Sequence, residues 1–155
     1  MTSQSDIDEF LARRRFAFVG LSREPKHFSR ALFQEFRKQG YDPVPVHPEA
    51  AEIEGRRCFT RVQEIDPPVD AALLMTPAPA TPAAAVDCVA AGVQHVWFYR
   101  GAGTGSVSAA AVEHCRANGL SVIPGECPFM FLPGATLVHR FHGWVKKIRG
   151  TYPRV

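Results

Sequence analysis

No stretch of this sequence approaches the roughly 18 consecutive apolar residues of a membrane span, which excludes a transmembrane helix. The first fifteen residues, MTSQSDIDEFLARRR, carry acids where a secretory leader needs an apolar run, so the expected location is cytoplasmic. Cysteine is sparse: Cys58, Cys88, Cys115 and Cys127 sit far apart and form no disulfide framework. No Ser/His/Asp set, paired carboxylates or complete metal-ligand set emerges, so no catalytic or metal residue is assigned. His139 and His142 of HRFH stand one helical turn apart with no third ligand at helical spacing. A basic stripe is also missing. The formal charge is +3, but residues 136–155 hold five bases and no acid, and the remaining 13 bases meet 15 acids. A nucleic-acid partner is therefore not expected.

What is present is alternation. The apolar runs FAFVG (16–20), PVPV (43–46), DAALLM (70–75), HVWFY (95–99) and LSVIP (120–124) are short and nearly free of charge, as strands covered on both faces are. Between them lie helical patterns. Leu32, Phe33 and Phe36 share one face of the first, which Gly40 stops; the alanine-rich segments 80–92 and 106–119 end at Gly92 and Gly119. Residues 50–66 are less regular and read as a turn, a strand edge and one helical turn near 61–65. DIDEFLARR reads as a short entry helix. Strands and helices in this order predict an α/β fold, a Rossmann-like doubly wound sheet of five parallel strands. The expected strand order is 3-2-1-4-5, with the switch point between the first and fourth strands. A 46% hydrophobic content is enough to fill the core of one domain, 1–155, with the core at about 15–130. Leu137, Val138, Phe141, Trp144, Val145 and Ile148 form an apolar stripe, predicting an extra amphipathic C-terminal helix over 136–149.

Ligands of such sheets lie over the carboxyl ends of the strands, which directs attention to the loops there. In GLSREPKHFSR, Gly20 permits close backbone approach, a helix start near Phe28 or Ser29 supplies free N–H groups, and Lys26 and Arg30 add charge. An anion with at least one phosphate is the natural guest. The GxGxxG fingerprint is absent, because Ser22 takes the second glycine position and Pro25 the third, so a tight dinucleotide turn is not supported. The second strand ends VPVHP, where His47 replaces the acid that would bond a ribose. That removes a repulsive charge, and on this feature CoA and NADP both remain open. His47 before Pro48 is equally a turn former, and Cys127, with no lysine or histidine nearby in sequence, reads first as a small buried hydrophobe. The remaining cysteines read as packing residues.

GLSREPKHFSR, VPVHPEAAEIEGRRCF, VDAALLMTPAP and GECP resemble, in order and spacing, the small stand-alone CoA-binding proteins with a Rossmann-like fold. These are similar in turn to the amino-terminal domain of the α subunit of succinyl-CoA synthetase. The resemblance implies that Gly20, Ser22, Lys26, Phe28, Ser29 and Arg30 surround the adenosine phosphate end of coenzyme A. It places His47 and Pro48 on the ribose or adenine side. Thr76, Pro77, Ala78 and Pro79 would follow the pantetheine arm, and Cys127 and Pro128 would lie near the thiol end. The TPAP after the third strand is closer to the synthetase subunit than to the small proteins, many of which have arginines there.

The expected function is binding of CoA or an acyl-CoA by a module without chemistry of its own: a carrier, a sensor or a partner of an acyl-CoA enzyme. The alternatives are an NADP-dependent oxidoreductase and an accessory subunit of an acyl-CoA ligase. Ligase activity by this chain alone is not expected, because no residues remain for a phosphohistidine domain. The stripe of the C-terminal helix is the expected surface for a homodimer or an enzyme partner.

Overall fold

The computed structural model describes residues 2–101 and 103–133; the expected helix over 136–149, its partner surface and the HRFH pair lie outside the described residues. Helix α1 (Gln4–Leu11) starts on a capping box, with Ser3 Oγ accepting from the Asp6 N–H at 3.0 Å and the Ser3 N–H donating to Asp6 at 3.2 Å. Strand β1 (Arg15–Val19) leads into α2 (Phe28–Lys38), which buries Leu32, Phe33 and Phe36, and then into β2 (Asp42–Val46). A hairpin, β3 (Glu52–Ile53) and β4 (Arg56–Arg57), and a 3-10 turn (Val62–Glu64) occupy the irregular segment. There follow β5 (Ala71–Leu74), α3 (Thr81–Ala90), β6 (His95–Phe98), α4 (Ala109–Ala117) and β7 (Ser121–Pro124). Gly92 and Gly119, with φ of 79° and 81°, take the left-handed conformation just past α3 and α4, as their sequence positions predict. Among the described residues no helix is long and apolar enough to cross a membrane.

All pairings in the five-stranded sheet are parallel, and helices cover both faces. The period of two in each strand divides the core. Phe16, Phe18, Ala71, Leu73 and Trp97 pack with α1 and α2, while Ala17, Val19, Ala72, Leu74, Val96 and Phe98 pack with α3 and α4. This is the Rossmann-like doubly wound sheet that the alternating pattern predicts.

The strand order differs from the expected 3-2-1-4-5. The sheet runs β2-β1-β5-β6-β7, which is 2-1-3-4-5 when its five strands are counted along the chain. The reason lies in DPVPV. The Asp42 N–H donates to Arg14 and the Gly20 N–H to Val46, so alternate residues 42, 44 and 46 face β1. Pro43 and Pro45 then face outward, and proline has no N–H to give a further strand. The strand must lie at the edge, where Phe59 adds a single parallel bridge by donating to the Pro45 carbonyl at 3.0 Å. The third strand, AALL, is wholly buried and takes the centre beside β1. The switch point accordingly falls between β1 and β5.

Phe18 is fully buried and meets Phe33 edge-on at 5.4 Å. Phe18→Ala is expected to cost about 3–5 kcal/mol, read as a lowered midpoint in denaturant titration.

Candidate functional site

At the switch point the loops after β1 and β5 leave toward opposite faces of the sheet, but they first touch. Gly20 has φ +91°, and a Cβ there would lie 2.8 Å from the Met75 carbonyl carbon and 2.9 Å from the Thr76 nitrogen. The position is glycine because the backbone of β5 fills the space that a side chain would need. This is a protein-internal reason, additional to the ligand approach expected from sequence.

Beyond Gly20 the loop is ordered by hydroxyls. Ser29 is fully buried, and its Oγ accepts from the Ser22 N–H at 3.0 Å. Ser22 Oγ accepts from the Glu24 N–H at 3.1 Å. His27 caps α2: its Nδ1 accepts from the Ser29 N–H at 3.1 Å and lies 2.8 Å from Ser29 Oγ, so that nitrogen presents a lone pair. The first turn of α2 contains no acid, Lys26 is exposed, and among the described residues no carboxylate pairs with it. Ser22, Ser29 and Lys26 thus come together at one helix start, where the dipole favours an anion; the N–H groups expected to be free there are engaged, since those of Ser29 and Arg30 donate to Nδ1 and the carbonyl of His27. Arg30 behaves differently. It is 13% exposed and bonded to Glu54 and to the carbonyls of Ser22 and Arg23.

His47 is the turn former. Its Nδ1 accepts from the N–H groups of Glu49 and Ala50, both at 3.0 Å, which leaves the proton on Nε2. Burial pushes its pKa below the ordinary 6.5, the Arg23 charge pushes it further, and Glu49 opposes both. Pro48 is exposed beside it, and Arg23 reaches Glu49 at 3.2 Å to join the first two loops.

The loop after β5 is braced from below. Thr76 Oγ1 lies 2.7 Å from Thr81 Oγ1, and the buried Thr81 hydroxyl donates to the Pro77 carbonyl at 3.2 Å. Pro77 and Pro79 are exposed and Ala78 is half-buried, so the loop presents backbone and small apolar surface.

The last two loops are tied together at Glu126, which has φ +94°, an uncommon conformation for a residue other than glycine. Its carbonyl accepts from the Arg100 N–H and from Trp97 Nε1, each at 3.1 Å. Cys127 is buried, and burial together with the charge of Cys127 pushes the Tyr99 phenol up to about 12. Phe28 packs against Tyr99 and Phe129, with centroids 5.6 and 5.5 Å apart, so the start of α2 adjoins the Cys127 end of the site. Burial also raises the thiols of Cys58, Cys88 and Cys115, in keeping with packing roles.

Thr81, Tyr99, Glu126 and Glu54 are contributors that sequence reasoning missed. Tyr99 had a visible signal, a polar-tipped aromatic closing a strand; the others depend on contacts that no spacing announces. A separate cleft of about 630 Å³ opens at the amino ends of the strands, lined by Arg13, Arg14, Arg15 and Asp70. Its arginines are engaged with Asp70, the Tyr41 ring and Asp42 respectively.

Residues 14–133 match the model of the CoA binding domain family. The chain belongs to that family. It is 29% identical over 126 residues to the uncharacterised protein YneT of Bacillus subtilis, covering 81% of this chain and 90% of that one. Over 91 residues it is 29% identical to the α subunit of the ADP-forming acetate–CoA ligase II of Pyrococcus furiosus, covering 58% of this chain and 20% of the subunit. A hypothetical protein from Pyrococcus horikoshii shares the fold with a TM-score of 0.74 and 22% identity, over 82% of this chain and 87% of that one. The relation to acyl-CoA ligase domains accords with the resemblance in the loop motifs.

Two outcomes test the internal geometry. Gly20→Ala is expected to lose about 2 kcal/mol or more, from the left-handed backbone and the overlap with Met75–Thr76, measured by denaturant unfolding. Because the folded pKa of His47 is depressed, the unfolded chain binds its proton more readily. Stability is therefore lost as pH falls from the ordinary value of 6.5 toward the folded one. His47→Asn, which keeps an acceptor near the Nδ1 position, is expected to flatten the stability profile in that window.

Proposed function

We propose that this chain binds coenzyme A or an acyl-CoA across the carboxyl ends of its parallel strands, as a cytoplasmic module without chemistry of its own. The observation that carries this reading is the helix start at the switch point, free of acid and flanked by an unpaired lysine, in a chain of the CoA binding domain family. Lys26, Ser22 and the positive end of the α2 dipole receive phosphate, and Gly20 keeps the entrance narrow. His47, with its proton on Nε2, and Pro48 form the nucleoside side, where the neighbouring Glu49 carboxylate is paired with Arg23. Thr76–Pro79 offers backbone groups and apolar surface to the pantetheine arm. The thiol end lies toward Cys127, against the aromatic wall of Phe28, Tyr99 and Phe129.

As a carrier, sensor or partner module, such a chain would present CoA to an enzyme acting on the acyl group. The match to an acetate–CoA ligase α subunit favours a second, related reading, an accessory subunit of an acyl-CoA ligase.

Calorimetry with CoA, dephospho-CoA and NADP tests the assignment. CoA is expected to bind most tightly, and Lys26→Ala to weaken it by about five- to tenfold, the worth of one charged contact of this kind. Equal affinity for CoA and dephospho-CoA would remove the role given to Lys26. Native mass spectrometry of the purified chain, looking for retained CoA, is an independent check.

A further inference from the structure

Arg30 is read from sequence as one of the charges around a phosphate, yet its guanidinium is committed elsewhere. Nε donates to Glu54 Oε1 at 2.7 Å, and Nη1 donates to the carbonyls of Ser22 at 3.3 Å and Arg23 at 3.0 Å. Glu54 is held in turn by Gln34 at 2.8 Å, and its own carbonyl accepts from Arg37 at 3.2 Å. Burial alone would raise the Glu54 carboxyl, but the hydrogen bonds of Gln34 and Arg30 and the charges of Arg30 and Arg37 outweigh it and hold the group ionised. The residue sits at the tip of the β3–β4 hairpin with φ +56°, followed by Gly55 at +70°, a pair of left-handed positions where asparagine–glycine is the usual choice. A glutamate kept in that conformation, with its carboxylate aimed at a neighbouring helix, indicates that the side chain has a task.

The task follows from peptide geometry. In a planar trans peptide the C=O and the next N–H point in opposite directions. By drawing the Ser22 carbonyl toward itself, Arg30 turns the Arg23 N–H the other way, and among the described residues no acceptor meets that N–H. The Arg23 carbonyl is drawn in the same way, and its partner N–H, that of Glu24, is retained by Ser22 Oγ.

The geometry points to Arg30 and Glu54 as positioning residues: an ion pair between α2 and the hairpin tip that fixes the β1–α2 loop so that the Arg23 N–H faces the bound anion. This rests on the reading of the loop as the phosphate site, and it makes the hairpin a working part of that site.

The sign of one substitution separates this role from direct contact. Glu54→Gln removes a negative charge near the loop, so if Arg30 met the anion itself, the change would free it and tighten binding. As a positioning residue, Glu54 when replaced by glutamine should instead weaken CoA binding by about tenfold, the size of one oriented hydrogen bond to a charged acceptor. Arg30→Lys, which keeps the charge and loses the fork, should weaken it at least as far. The measurement is calorimetric titration of the full chain with CoA, paired with hydrogen exchange of the wild type and Glu54→Gln. Faster exchange is expected in residues 20–27, with the core strands unchanged. A CoA affinity in Glu54→Gln equal to or above that of the wild type overturns the assignment. Should the wild type bind neither CoA nor dephospho-CoA, the reading of the loop as a CoA site falls, and exchange alone decides the clamp. Unchanged exchange in 20–27 overturns it, and faster exchange upholds it.

Discussion

The contact of Gly20 with Met75 and Thr76 governs the carboxyl end of this sheet. Two central parallel strands leave the sheet there toward opposite faces, and their backbones pass at van der Waals distance because one of them carries no side chain. The first loop is thereby fixed against a rigid neighbour at its start. Ser29, buried at the other end, fixes it again through the Ser22 N–H. A loop anchored at both ends can hold N–H groups in an arrangement that a free loop would lose to water, and that preorganisation is what an anion site requires.

Charge is distributed to the same end. His27 and His47 each use Nδ1 to accept backbone N–H groups, so both rings serve as caps. Glu49 and Glu54 each answer an arginine, Arg23 and Arg30. Lys26 is left to face solvent beside the start of α2. At the first loop of the proposed site the electrostatic pull on an anion would come from Lys26 and from the dipole of α2.

Much of this was legible beforehand. The five strands lie within a residue or so of their apolar runs, because strands buried on both faces cannot hide their composition. The edge position of the second strand is written in the sequence too, in the proline pair of DPVPV, whereas the order 3-2-1-4-5 follows only from the common pattern of doubly wound sheets. Arg30 was visible as a cation and not as a bound one, since its partner lies 24 positions away on a hairpin whose tip no periodicity marks. The conformation of Glu126 was equally hidden, being imposed by Trp97 and Arg100 from other strands. Where a residue's role depends on its type alone, the sequence suffices; where it depends on which hydrogen-bond partner arrives, it does not.

The prolines of β2 carry one further implication. An unprotected sheet margin is a template on which a stray chain can zip, and soluble proteins commonly guard it with lysines or a covering helix. Here the margin offers carbonyls and almost no donors, and Phe59 already occupies one of those carbonyls. Addition of a further strand along that flank is disfavoured, because Pro43 and Pro45 have no N–H to offer it.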